Sequence, residues 1–358
     1  MKTTFPLLLL LLCCFSVFGQ KKITKKYESE ELQDIRNIQI HLPKGYERDT
    51  VSNYPLTIVL DAEYLYDLYV GNSKLFSHTD RAPKQIVVGI EMAETRLKDA
   101  SIDENRKGIL TADSRSFIKF IKEELLPYIE GNYRTSLYIC IVGNGISANL
   151  ITHFLRDETP IFNAFICLNP TFSADIATHM QSYDLNKIGT IDNTYYFYMN
   201  DGPYIVGDKK QNIQNLNNYL QTLKIKNFNI KYDVSESSPS NVSAIGEAIP
   251  RALNKIFEIY SGISKEEFET KVKDLSPLDA IAYLENKYIE IDYLFGSNLG
   301  IREIDIIAIE SIIIEKENGD HLKTYGDFKS LSIFSLGTLL FRTLLWSRSK
   351  LEKSVTRI

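Results

Sequence analysis

Apolar positions along this chain fall into two repeating textures. Short continuous runs, Pro55–Leu60, Gln85–Ile90, Leu137–Val142, Phe162–Leu168, Thr194–Met199 and Asn229–Val234, are the mark of strands buried on both faces. Between them lie segments with apolar residues at helical spacing, and these predict helices over 116–129 (Phe117, Phe120, Ile121, Leu125), 149–156, 213–224 and 248–260. Residues 36–43 alternate instead, as a half-buried strand does. Strands alternating with helices predict an α/β fold: a three-layer sandwich with a mainly parallel sheet. Ligands of such sheets sit beyond the carboxyl ends of the strands. The loops after Leu60, Ile90, Val142, Leu168, Met199 and Val234 are therefore the ones to search.

The texture changes near residue 262. Ser264 reads as an N-cap followed by acidic residues, and 265–320 is rich in Glu, Lys and Ile at helical spacing. A small C-terminal helical annex is expected over 262–358, with no second copy of any repeat. The apolar run 331–346 is short for a membrane span and carries Arg342, so a buried or partner-facing helix is expected there. At the other end, Met1-Lys2, the apolar stretch Phe5–Phe15 and the small residues Ser16 and Gly19 form a secretory signal peptide over 1–19, with cleavage before Gln20. Leucines precede Cys13 and Cys14, which argues against a lipoprotein cysteine. The mature chain is expected outside the cytosol, secreted or periplasmic, with no transmembrane span. It divides into an exposed polar lead-in at 20–34, an α/β domain at 35–261 and the annex.

Charge excludes little but is informative in one respect. Acidic residues number 46 against 41 basic, a net charge of −5, with no basic stripe interleaved with aromatics, so no nucleic-acid partner is expected. Past the signal only Cys140 and Cys167 remain, both in apolar strand-like runs. They read as buried thiols, with a disulfide between neighbouring strands as the alternative. Two cysteines and scattered histidines make no metal set, and no cofactor is expected.

The chemistry-bearing motif is Tyr138-Ile-Cys-Ile-Val-Gly-Asn-Gly-Ile-Ser-Ala-Asn149, a strand running through a glycine-rich turn into a helix. It resembles the nucleophile elbow G-x-S-x-G of the α/β-hydrolases. With the frame starting at Gly143, the nucleophile position is Gly145. Other blocks extend the likeness over roughly 36–260: Tyr54-Pro-Leu-Thr-Ile-Val-Leu-Asp-Ala-Glu-Tyr64; Ile86-Val-Val-Gly-Ile90 followed by Arg96 and Asp99; Phe117 to Arg134; and Phe165-Ile-Cys-Leu-Asn-Pro170. In order and spacing these are similar to the secreted esterase family that includes enterobactin esterase and S-formylglutathione hydrolase.

That resemblance implies an esterase scaffold with a degenerate triad. Serine is replaced by Gly145. The family's histidine, after the last strand, falls at Asn241, or at Ser240 or Pro239 with a small slip. The acid after the strand 194–199 is Asp201 or Asp208. An oxyanion-hole remnant would comprise the N–H groups of Ile146 and Ala62. Asp61, Glu63, Asn144 and Ser147 are pocket candidates. Asp61 and Glu63 would orient a ligand or cap a loop, and Arg96 would pair with Asp99, with binding of an acidic group as the alternative. His41, His78 and His321 read as surface residues, and His153 and His179 as non-catalytic. A serine hydroxyl must hand its proton to a base as it attacks, which neither glycine nor asparagine can reproduce. The expectation is a secreted binding or scaffold module that has lost hydrolysis. Its partner would be an acyl- or ester-like small molecule in the old pocket, or a protein at the helical annex. The alternative is an atypical carboxylic-ester hydrolase using Ser147 or a bound water, and a third reading is an inert paralogue.

Overall fold

The computed structural model describes residues 21–103 and 108–316. The expected signal peptide, the run 331–346, His321 and the rest of the C-terminal tail lie outside the described residues. One eight-stranded sheet organises the chain: β1 Lys21–Ser29, β2 Asp34–Leu42, β3 Tyr54–Val59, β4 Ile86–Ile90, β5 Thr135–Asn144, β6 Ala164–Leu168, β7 Tyr195–Asp201 and β8 Phe228–Val234, in the order β1-β2-β4-β3-β5-β6-β7-β8. From β4 to β8 every pairing is parallel, whereas β2 runs antiparallel to both β1 and β4.

Successive side chains of the central strands leave on opposite faces and build two apolar layers. Leu56, Ile58, Ile86, Val88, Ile139, Ile141, Phe165 and Phe197 form one, with Phe117, Phe120 and Ile121 of the helix opening at Ala112–Lys119 and with Ile213 and Leu216 of the helix Gly207–Thr222. Val59, Val87, Cys140, Val142, Ile166 and Tyr198 form the other. The second layer packs against α1 (Ala62–His78) and the helix Asn241–Ile256 through Leu65, Tyr66, Tyr69, Ile249 and Leu253. The remaining helices are α2 Arg96–Ala100, α3 Ala112–Lys119 running on to α4 Leu126–Asn132, α5 Ile146–Ile151, α6 Ile176–Gln181, α7 Gly207–Thr222, α8 Asn241–Ile256, α9 Pro277–Phe295 and α10 Glu303–Lys316.

Cys140 and Cys167 are both free and belong to opposite layers. Cys167 pairs across the sheet with Gly143, three residues beyond Cys140, so the disulfide alternative is excluded by register and facing. Burial pushes the Cys140 thiol up to about 12.

Two sequence expectations are corrected here. Residues 21–29 are not a loose lead-in but the edge strand β1, paired to β2 along its whole length. Its outward positions are Lys22, Thr24, Lys26 and Glu28, and half-buried Ile23 and Tyr27 alternate with them. Lysines on an exposed edge deter pairing with other chains, and they also make the strand look like a solvated leader. His41, in turn, is not on the surface but 5% exposed in β2. Burial, with Lys74 nearby, lowers its pKa from 6.5 to about 4. The unfolded chain therefore takes up this proton first as pH falls. Urea titrations should show stability dropping from pH 6.5 towards pH 4, with a shallower slope in His41→Gln.

Contacts divide the chain into two compact units. One comprises residues up to Gly262 together with Lys287–Gly300; the other comprises Ile263–Asn286 and the residues from Ile301 on. The second half of α9 thus returns to the first unit, where Phe295 packs edge-on to Tyr138, Phe257 and Tyr260, and Asn53 N–H donates to the Gly296 carbonyl at 2.9 Å. In the second unit Ser264 caps its helix by accepting from Glu267 N–H at 3.0 Å. Buried Asp305 accepts from Ile263 N–H at 2.6 Å. No helix of the described residues is long and apolar enough to cross a membrane.

Candidate active site

All parts of the site come from loops at the carboxyl ends of β3 to β8. The strand β5 ends at Asn144 and α5 starts at Ile146, which leaves Gly145 alone to turn the chain, at φ 60° and ψ −117°. That conformation strains any residue with a Cβ. Gly143 is required for a different reason: a Cβ there would lie 2.8 Å from the backbone carbon of Ser147, so helix and strand close only on glycine. The turn is pinned to the next strand. Gly145 N–H donates to the Leu168 carbonyl at 3.0 Å, and the Gly145 carbonyl accepts from Thr171 N–H at 2.9 Å. The strand–turn–helix expected from the sequence motif is present, with Gly145 at its apex.

In front of that apex stands Arg96. Its Nε donates to Asp61 Oδ1 at 2.6 Å, its Nη2 donates to the Asn144 carbonyl at 2.7 Å, and a Cβ on Gly145 would lie 3.1 Å from Nη2. Burial alone would weaken the charge of Arg96, but Asp61 more than restores it. The expected Arg96–Asp99 pair is therefore wrong. Asp99 is held by Arg36 of β2 at 2.6 and 2.8 Å, and α2 sends Arg96 the other way, to the site.

Asp61 is fully buried and sits in the left-handed region at φ 54°. It also accepts from Ser147 Oγ at 3.1 Å and from Asn144 N–H at 3.3 Å. Its role is that of a buried tie between β3, α2 and the elbow. Ser147 is buried too, with its hydroxyl committed to Asp61 rather than presented at the turn. Glu63 is exposed and accepts from Met92 N–H at 3.0 Å, which fastens the loop after β4. Asn144 Nδ2 donates to the Tyr64 hydroxyl at 3.0 Å; burial first, then Asp61, pushes that phenol up to about 12. Ala62 and Ile146 open α1 and α5, where first-turn N–H groups have no partner within the helix.

The two acid candidates separate cleanly. Asp201 ends β7, is 1% exposed, and accepts from the Tyr232 hydroxyl at 2.9 Å. Asp208 is exposed in the first turn of α7. Asn241 is the first residue of α8, after the N-cap Ser240, which accepts from Ser243 N–H at 3.0 Å. The Asn241 amide oxygen accepts from Tyr204 N–H at 3.1 Å and would touch any Cβ on Gly202, the residue after Asp201. Asn241 therefore overlies Gly202, the neighbour in sequence of the acid candidate Asp201.

Sequence reasoning did not find the amides that join these loops. Asn169 Nδ2 donates to the Asn241 carbonyl at 2.8 Å, and Asn169 and Asn200 exchange hydrogen bonds at 3.2 Å. Both asparagines sit at strand carboxyl ends, in Leu168-Asn-Pro and Met199-Asn-Asp, and that position was the available signal. His153 lies beyond α5 on a 3₁₀ helix and His179 on α6.

Residues 29–149 match the family model described as "Putative esterase". No curated protein matches the chain. Among solved structures, an uncharacterised protein from Capnocytophaga ochracea is similar at 23% identity and TM-score 0.72, over 86% of this chain and 83% of that one. An IroE-like serine hydrolase from Shewanella oneidensis is similar at 20% identity and TM-score 0.59, over 80% and 92%. The enterobactin esterase from Shigella flexneri is similar at 14% identity and TM-score 0.52, over 68% of this chain and 59% of that one. The chain has the α/β-hydrolase fold, and its residues 29–149 match the model of the putative esterase family.

Proposed function

We propose that this chain is an esterase-fold binding module rather than a hydrolase. One observation carries the reading: the residue at the apex of the elbow is Gly145, and the Arg96 guanidinium occupies the space in front of it. Glycine offers no atom to attack a carbonyl, and the Asn241 amide cannot accept the proton that attack would release. Ser147 supports the same reading, since its hydroxyl is buried against Asp61.

The ligand that suits the site is a neutral carbonyl compound of the acyl or ester class. The first-turn N–H groups of Ile146 and Ala62 are donors for such a carbonyl. Two carboxylates, Asp61 and Glu63, against one guanidinium disfavour an acid. Tyr64, Leu97, Tyr204 and Val242 expose large apolar surface on the same loops and would cover an acyl or aryl group. Similar folds named as enterobactin esterase and ferulic acid esterase act on compounds with such groups. The apolar N-terminal stretch supports a location outside the cytosol for this binding.

The test is hydrolysis of p-nitrophenyl acetate by the purified chain. The expected rate is that of buffer alone. Turnover above it that Ser147→Ala abolishes would overturn the reading.

A further inference from the structure

A second cluster of chemistry-bearing side chains lies away from the elbow, between the 3₁₀ helix Thr152–Arg156 and the stretch from His179 to Tyr183. In a 3₁₀ helix, residues three apart eclipse one another, so His153 and Arg156 share one face. His179 lies in the last turn of α6, and Tyr183 follows just beyond its C-cap Ser182. The two segments meet: the Arg156 guanidinium carbon stands 4.9 Å over the Tyr183 ring. Burial first, then Arg156 and His179, hold the His153 ring far below its ordinary pKa, so it is neutral.

The hydrogen bonding of this cluster is incomplete in a specific way. Arg156 Nε and Nη2 are both sealed from solvent without an acceptor, and so is His153 Nε2. Nε and Nη2 are the two donors along one edge of the guanidinium, the fork that receives two oxygens of a carboxylate or phosphate side by side. The next residue, Asp157, is no substitute, because its carboxylate is bonded to Lys122 at 2.9 Å. A buried cation with an unused fork is costly, and buried donors are seldom left so. Each of the four residues is half-buried as a whole, so the cluster reaches the surface.

We propose that Arg156 and His153 form a binding site for a small oxyanion, with two of its oxygens on the Arg156 fork and a third on His153 Nε2. Tyr183 holds the guanidinium plane by stacking. The site is independent of the elbow and of any activity there.

Thermal unfolding of the full chain in inorganic phosphate, in acetate and in chloride, at matched ionic strength and pH 7, tests this. Phosphate should raise the melting temperature by about 2–4 °C over chloride at ten or more times its dissociation constant. A rise with acetate as well marks a general oxyanion fork; a rise with phosphate alone assigns the site to phosphoryl groups. Phosphate stabilises many proteins by exclusion from their surfaces, so the variant decides the matter. Arg156→Lys keeps the charge but removes the fork, and the excess over chloride should vanish. Calorimetric titration of His153→Phe, which keeps a buried ring, should show phosphate affinity about tenfold weaker. No rise with either anion, an equal rise in Arg156→Lys, or unchanged affinity in His153→Phe would each overturn the proposal.

Discussion

Asp99→Ala will destabilise the protein by about 3–5 kcal/mol, because it strands a buried guanidinium. Arg36 and Asp99 are 2% and 1% exposed, and their pairing is bidentate at 2.6 and 2.8 Å. Thr95 Oγ1 donates to the same carboxylate at 2.6 Å. With the carboxylate gone, Arg36 keeps a neutral acceptor, the Thr95 hydroxyl, a weak contact to Asp34 at 3.7 Å and the Phe117 ring at 5.6 Å, with no close carboxylate to balance its charge. In a domain of this size the loss corresponds to a fall in melting temperature of roughly 10 °C, which calorimetry would register directly. The double variant Arg36→Met, Asp99→Leu should recover most of that loss, since it removes both charges and keeps the volume. An additive double variant would mean that the pair is not the source. The pair also anchors α2 to β2, and α2 carries Arg96. A destabilised Asp99→Ala protein should therefore also lose the order of the elbow.

This pair shows where reading the sequence stops. The strands β3 to β8 were legible because each is a run of apolar residues buried on both faces, and the elbow was legible because Gly143 and Gly145 are dictated by local closure and turning. The charged residues were not legible. Arg96 and Asp99 are three apart on one short helix, which made them look like natural partners. The helix instead points them to opposite neighbours, Asp61 and Arg36, each more than thirty positions away in sequence. Nothing local distinguishes the two arrangements. The edge strand β1 was hidden by its lysines. Helix α1 was hidden by excess, since Tyr64, Leu65, Tyr66, Leu68, Tyr69 and Val70 blur the helical period. Asn241, the position that the resemblance assigns to the histidine, is the first residue of α8. Its side chain overlies Gly202, the residue after Asp201, and the loop after β8 that brings it there is short and held at both ends, by Ser235 N–H on the Asp201 carbonyl at 3.2 Å and by the Ser240 cap.

Gly145→Ser with Asn241→His will raise p-nitrophenyl acetate hydrolysis by about 10²–10⁴-fold over the natural chain, the usual contribution of a positioned general base. The elbow already has the required backbone, at φ 60°, and its N–H donors need no rebuilding. An acid candidate is also at hand: Asp201 is buried at the end of β7, beside Gly202, which the Asn241 side chain overlies. A histidine there can accept from Tyr204 N–H or turn a nitrogen to Asp201. Gly145→Ser alone should stay at the buffer rate, because no base would take its proton. It should also cost about 1–3 kcal/mol, since a side chain at this φ is strained. Arg96 sets the remaining obstacle. Its Nη2 would stand 3.1 Å from the new Cβ, but that nitrogen ends a flexible side chain and can give way or donate to the serine oxygen. Two readouts separate the outcomes. If the double variant is folded, binds a fluorophosphonate at position 145 and turns over ester, the elbow of this chain is a hydrolase elbow without its reactive groups. If it is folded and silent to both, the turn at Gly145 serves strand–helix closure alone, and the binding site must be sought elsewhere on the chain.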